Sequence, residues 1–211
     1  ADILAGLGPA GQTFYNRGLE KAISTNDVPH SFAVSYVLEL PFGPGRRFLN
    51  SRGGLARLVG GWTLTGIHQY SAGTPVVLTS STTVPLFNNT LRPDGIAGVP
   101  LGFDDNSFDP AANRWINPDA FRVPSGFRFG TAARSYTNLR APNFLNESFG
   151  LIKRTNVTER LLLTFRAEFF NVFNRVVFDS PQGNVNNPNF GRISSQANTP
   201  RQGQLALRLE F

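Results

Sequence analysis

The sequence predicts an all-β chain, an antiparallel transmembrane β-barrel segment of about five to six strands with long extracellular loops, and three observations predict it. Apolar and polar residues alternate with period two in several separate stretches, as strands with one apolar face require. Charged residues make up 16% of the chain, well below the roughly 25% of an average soluble domain. The connections between the stretches are very unequal in length, and those rich in Gly, Pro, Asn and Ser suit turns better than helices.

The first strand is expected at 31–40, where Phe32, Val34, Tyr36, Leu38 and Leu40 alternate with Ser31, Ala33, Ser35, Val37 and Glu39. Pro41-Phe42-Gly43-Pro44-Gly45 ends it, because proline cannot donate to a ladder and glycine permits the turn. The basic stretch 46–61 has room for one helical turn at 55–59. A second strand is expected across 62–79, clearest from Trp62 to Tyr70 and continuing at 75–79, with Ile67 breaking the alternation. A long, irregular, solvated loop follows at 80–143. A third strand at 144–153 sets Leu145, Glu147, Phe149 and Leu151 opposite Asn146, Ser148 and Gly150. The polar turn 154–157 leads to a long strand at 159–173. One face of it carries Leu161, Leu163, Phe165, Ala167, Phe169 and, after an interruption at Asn171, Phe173; the other carries Arg160, Thr164, Arg166 and Glu168 along with Leu162 and Phe170. After a second long loop at 174–201, the final strand, 202–211, sets Leu205, Leu207, Leu209 and Phe211 against Gln204, Ala206, Arg208 and Glu210. Residues 1–29 show no firm pattern.

Composition narrows the function classes. Cysteine is absent, so disulfides, thiolate metal sites and catalytic thiols are excluded. No apolar run is long enough for a membrane-spanning helix. The net charge of +6 comes mostly from scattered arginines. Only Arg46, Arg47, Arg52 and Arg57 group together, and no nucleic-acid-binding motif accompanies them. They are read as turn and lumen charges, and no nucleic-acid partner is expected. His30 and His68 read as strand or interface histidines. The run Asp104-Asp105-Asn106-Ser107-Phe108-Asp109 lacks EF-hand spacing and reads as a solvated loop. Gly43-Pro44-Gly45-Arg46-Arg47 lacks the Lys-Ser/Thr pair of a phosphate loop. With no nucleophile–base arrangement either, neither enzyme activity nor a cofactor or metal is expected.

In lipid, every backbone N–H and C=O needs a partner within the protein, so strands cross only as closed barrels. A crossing strand of about 9–11 residues fits 31–40 and 202–211. Single-chain bacterial barrels begin at about eight strands, so the readable strands are expected to be one part of a barrel completed elsewhere. No secretion leader opens the chain, and one is expected upstream of Ala1. Two other readings stay open. A self-contained small porin or adhesin-like barrel needs further strands within 1–29 and 80–143. A soluble β-sandwich binding module would show the same alternation.

The segment 158–174 (TERLLLTFRAEFFNVFN) resembles the penultimate strand of TonB-dependent receptors, especially the Oar-like group. The segments NPNFGRI at 187–193, QLALRLEF at 204–211, VLELPFG at 37–43 and GGWTLTG at 60–66 are similar to parts of the same barrels. The resemblance covers roughly 31–211. It implies a plugged barrel of about 22 strands in the outer membrane of a Gram-negative-type bacterium. It also implies energy-coupled uptake of a small-molecule or oligomeric substrate. The plug and the segment that contacts the TonB complex are expected in an N-terminal region outside this chain. Phe211 corresponds to the closing phenylalanine read by the barrel-assembly machinery, and lies at the periplasmic end. The resemblance then implies that Arg160, Arg166, Glu168, Arg208 and Glu210 line the lumen. Leu161, Leu163, Phe165, Leu205, Leu207 and Leu209 would face membrane lipid, and the long loops would meet substrate outside.

Overall fold

A computed structural model describes residues 12, 13, 15–51, 53–81, 91–103 and 108–211. Its contacts divide the chain into two compact units. One is a sheet formed by His30–Ser71, Phe144–Val177 and Asn198–Phe211. The other comprises the described parts of Ala1–Pro29, Ala72–Asn143 and Phe178–Ala197.

In chain order the elements are α1 (Arg17–Glu20), β1 (Ser31–Glu39), α2 (Gly54–Val59), β2 (Trp62–Ser71), β3 (Asp94–Gly95), a 3-10 turn (Pro118–Ala120), β4 (Phe121–Arg122), β5 (Phe144–Asn156), β6 (Leu162–Phe170) and β7 (Gln202–Glu210). The sheet has the strand order β1-β2-β5-β6-β7 and is antiparallel throughout. Every neighbour in it is the next sheet strand along the chain, so the topology is a meander. Successive antiparallel strands put the long segments 72–143 and 171–201 at one end and the connections 40–61 and 157–161 at the other.

The alternating sequences form the expected strands, but four boundaries differ by more than one residue. β2 stops at Ser71 and does not continue through 75–79. Pro75 has no amide to donate. Gly73 also passes so close to Ala141 that an added Cβ would lie 1.7 Å from its carbonyl oxygen. Residues 75–79 pair locally within the second unit, through Val76 N–H to the Leu139 carbonyl (3.0 Å) and Thr79 N–H to the Gly183 carbonyl (3.0 Å). β5 runs on to Asn156, so the short turn moves to 157–161. There the Val157 amide donates to the Leu161 carbonyl (2.9 Å) and the Leu161 amide to the Thr158 carbonyl (3.4 Å). Arg160 and Leu161, placed in a strand by their alternation, therefore belong to the turn. At its other end β6 stops at Phe170 because Asn171 takes a positive φ of 48°, a conformation asparagine tolerates. The Asn171 side chain donates to the carbonyls of Arg175 (2.9 Å) and Thr199 (3.0 Å) and accepts from the Arg175 amide (2.8 Å). Those bonds replace the ladder, and Phe173 lies beyond the strand. The helical turn expected at 55–59 is α2.

The larger correction concerns the loops. The segments expected to be irregular and solvated hold the main apolar core of the described chain. Leu78, Ile116, Leu139, Ala120, Phe121 and Phe190 are buried together, and Trp115, Tyr136 and Val185 pack against them. Phe121 meets Phe190 and Tyr136 edge-on at centroid distances of 6.1 and 6.0 Å, a favoured geometry for aromatic pairs. The 3-10 turn is capped by Asn117, whose side-chain oxygen accepts from the Asp119 amide (3.0 Å). Ion pairs tie the periphery: Arg92–Glu20 (2.9 Å), Arg140–Asp27 (2.5 Å) and Arg128–Asp94. The Arg128 guanidinium holds the buried Asp94 carboxyl below its ordinary range, with help from the Thr131 amide. The expected residues Asp104 to Ser107 lie outside the described residues, and Asp109 accepts from the Ala111 amide (2.9 Å) as an ordinary turn residue.

If this core holds the loop unit together, Leu78→Ala should lower its local stability by about 2–5 kcal/mol. Native-state hydrogen exchange would show faster opening at Val76 and Ala141 and unchanged protection in β6 and β7. Unchanged exchange at Val76 would mean that the core does not hold the segment.

Candidate functional site

The register sorts the sheet's side chains onto two faces. Residues directly opposite one another share a face, and neighbours along a strand alternate. One face gathers Leu38, Leu64, Leu151, Phe149, Leu163, Phe165, Ala167, Leu205, Leu207 and Leu209. The other gathers Ser35, Thr65, Ser148, Arg154, Thr164, Arg166, Glu168, Gln204, Arg208 and Glu210, with the apolar Val37, Ile67, Ile152, Leu162 and Phe170 among them. Of the apolar residues named from sequence, Leu163, Phe165, Leu205, Leu207 and Leu209 thus stand together. Leu205, Leu207 and Leu209 are 71%, 67% and 56% exposed, with no second layer over them among the described residues. Leu161 is displaced into the turn. Phe211 follows β7 and is fully exposed.

On the polar face, four of the five charged residues named from sequence come together. Arg166 and Glu168 approach to 3.8 Å, and Arg208 meets Glu210 at 3.0 Å. The Gln204 side chain donates to Glu168 across the ladder (2.6 Å). Arg160 does not join them, because its strand begins two residues later. In its place stands Arg154, missed because the sequence put it in a turn and the structure extends β5 past it. Arg154, Arg166 and Arg208 line a groove of about 540 Å³ with Leu162, Thr164, Ala206 and Glu210. A second groove of about 330 Å³ on the sheet is lined by Ser35, Thr65, Ser148, Gly150 and Glu168 among others. Thr65 Oγ1 donates to the Gly150 carbonyl there (3.3 Å). Exposed cations with interspersed carboxylates can bind and steer charged solutes. Nothing in the arrangement pairs a nucleophile with a base, and no group of three or more candidate ligands for a metal occurs among the described residues.

The apolar face carries one polar constellation that the sequence did not disclose. Glu147 is only 1% exposed. Arg175 Nε donates to both its oxygens, at 2.9 and 3.0 Å, and the Tyr70 hydroxyl donates to Oε1 at 3.0 Å. His68 lies between Tyr70 (3.4 Å) and Tyr36 (3.5 Å), with the Phe149 ring edge-on at 5.3 Å. His68 is therefore a strand histidine, as expected. Tyr36, Trp62 and Tyr70 share this face, with Tyr36 in mid-strand. Arg175 was not legible because it follows the strand, brought round by the Asn171 turn.

Described by its geometry, the chain supplies an antiparallel meander with an apolar face exposed on β7, a face that carries the charged residues, and outer edges at β1 and β7 that pair with no strand among the described residues. No described helix is long and apolar enough to cross a membrane, but strands of 9 to 13 residues are present. Neither a curated protein nor a solved structure gives a match. A family profile described as an outer membrane beta barrel domain matches residues 4–204. The chain belongs to that family of outer membrane β-barrel domains, and its place is the outer membrane of a Gram-negative bacterium.

Proposed function

We propose that this chain forms wall and external loops of a TonB-dependent outer-membrane transporter. The observation that carries the reading is the combination of a charged sheet face with long, internally packed segments leaving one end of the sheet. Short connections at one end and long loops at the other are the asymmetry of outer-membrane barrels, with the long loops outside. Loops with a core of their own present a fixed surface to a ligand. Among the described residues, the five-strand sheet leaves β1 and β7 with unpaired outer edges. Strands from outside it must close the barrel, which favours a large barrel over a small self-contained one. The uncovered leucines of β7 disfavour a soluble sandwich, whose two sheets bury such a face. We assign the chain no enzymatic step, no cofactor and no nucleic-acid partner.

In this reading the face with Leu205 and Leu207 meets hydrocarbon, and that with Arg154, Arg166, Glu168, Arg208 and Glu210 lines the lumen. Leu205→Arg should then cost about 2–4 kcal/mol of folding free energy in lipid. Gln204→Arg, at the same depth and beside Glu168, should cost far less. Equal penalties in denaturant titrations of the full-length protein in bilayers would reverse or void the orientation.

Energy coupling is tested separately. Cells lacking TonB should lose growth on the transported substrate as completely as cells lacking this protein. Growth retained without TonB, and lost only with the protein, would identify a passive channel.

Phe211 is proposed as part of the signal read by the barrel-assembly machinery. Deleting it should lower the amount of heat-modifiable barrel in outer-membrane fractions several-fold. Unchanged insertion would remove that role.

A further inference from the structure

We infer that the β1–β2 connection is a lipid-docking element, seated on the anionic phospholipid headgroups of the leaflet at its end of the sheet. The inference rests on the proposed orientation, in which the apolar face meets lipid. The connection is not a slack turn. α2 is pinned from below by its small residues: Ala56 is buried, and Gly43 and Gly60 pass so closely that a Cβ on Gly60 would lie 2.9 Å from the Gly43 Cα. It is pinned from the side by Lys153, whose Nζ donates to the carbonyls of Arg57 (3.0 Å), Leu58 (2.5 Å) and Gly60 (3.0 Å). These are carbonyls that a helix C-terminus leaves without partners. Trp62 Nε1 donates to the Leu58 carbonyl as well (3.1 Å).

Lys153 and Trp62 identify the side on which α2 lies. They are paired across the β2–β5 ladder and share the face of Phe165, whose ring meets Trp62 edge-on at 6.4 Å. α2 is therefore fastened to the rim of the apolar face, continuous with the surface assigned to lipid. Tryptophan and lysine at such a rim suit the membrane–water boundary, where an apolar body and a polar head are both accommodated.

With Ala56 and Gly60 turned inward, α2 presents Leu55 and Leu58, three residues apart on one side, at 64% and 66% exposure. Phe48 and Leu49 are exposed beside them in the chain. Residues 40–61 contain four arginines and no acid. Arg46 pairs with Glu39 of β1. Arg47 stacks on Phe48 at 5.4 Å from the ring centroid, and Arg57 lies on the exposed helix. Apolar side chains next to guanidinium groups, in a connection that has no acid of its own, match an acyl boundary overlaid with phosphates. Each half alone would be weak, since a short helix buries little area, but the covalent and hydrogen-bonded attachment removes the cost of bringing it to the surface.

The test uses the full-length protein in proteoliposomes of phosphatidylcholine with phosphatidylglycerol. This chain has no cysteine, so nitroxide labels go on Leu58→Cys, on Thr158→Cys in the other short connection, and on Leu207→Cys, with any cysteine outside the chain replaced. Oxygen accessibility relative to an aqueous nickel chelate should be several-fold higher at 58 and 207 than at 158. A lipid-exposed 207 with an aqueous 58 overturns the docking element and leaves the barrel orientation standing. An aqueous 207 overturns the orientation itself. Spin-labelled phosphatidylglycerol should be enriched several-fold over phosphatidylcholine in the motionally restricted lipid, and R47Q/R57Q should reduce that preference. An unchanged preference overturns the headgroup assignment. A label at 58 that is aqueous in proteoliposomes but shielded in native membranes assigns the surface to a protein and overturns the lipid assignment.

Discussion

Register is the constraint on which the rest of this structure depends. In an antiparallel ladder the side chains alternate with a period of two, so a slip of one residue would carry Leu205, Leu207 and Leu209 to the side of Arg166 and Glu168. The pairings Phe165↔Leu207 and Thr164↔Arg208 fix one choice. The same ladder satisfies the backbone within the sheet, and this lets a chain with only 16% charged residues stand in a medium that offers no hydrogen bonds. A membrane strand thus needs no second layer of protein, and β7 has none. Its leucines would be a liability in water, and in the proposed orientation they meet a bilayer, where they are an asset.

The two units consequently rest on different physics. The sheet draws cohesion from its ladder and leaves its apolar side chains outward. The loop unit buries Leu78, Ile116, Leu139, Phe121 and Phe190 as a water-soluble domain does and surrounds them with ion pairs such as Arg92–Glu20. Loops so built can hold a fixed shape in water, which the proposed role of meeting a ligand needs.

That contrast explains what could be read from the sequence. Alternation in 31–40, 144–153 and 202–211 is a local property, and it located the strands to within a few residues. The ends of β6 were not local: Asn171 stops the strand by bonding to Arg175 and Thr199, and residue 199 is remote in sequence. The same holds for the loop core, whose apolar residues have no periodicity and are assembled by bridges such as Pro75↔Arg140 and Gly102↔Ile116. Arg154 and Arg175 were hidden for one reason. Each lies just beyond the expected end of a strand, and a shift of a turn decides whether its side chain reaches a face.

The polar groups on the apolar face are compatible with the proposed hydrocarbon surrounding once their bonds are followed. On β5 the charged ones are Glu147 and Lys153, six positions apart, or about 20 Å along a strand. That is shorter than the roughly 25 Å apolar band of such barrels, so at least one head falls near its edge or within it. Glu147 meets the Arg175 guanidinium and the Tyr70 hydroxyl, and Lys153 gives its donors to three carbonyls of the α2 terminus. Each charge is thus turned into the protein. Between them Phe149 and Leu151 face outward with nothing polar to shield. A charged side chain is excluded from a lipid-facing strand by its unmet hydrogen bonds and its charge, and where a partner is built at the strand's end both objections weaken. The face can therefore keep its ionic anchors at the two rims without losing its apolar middle.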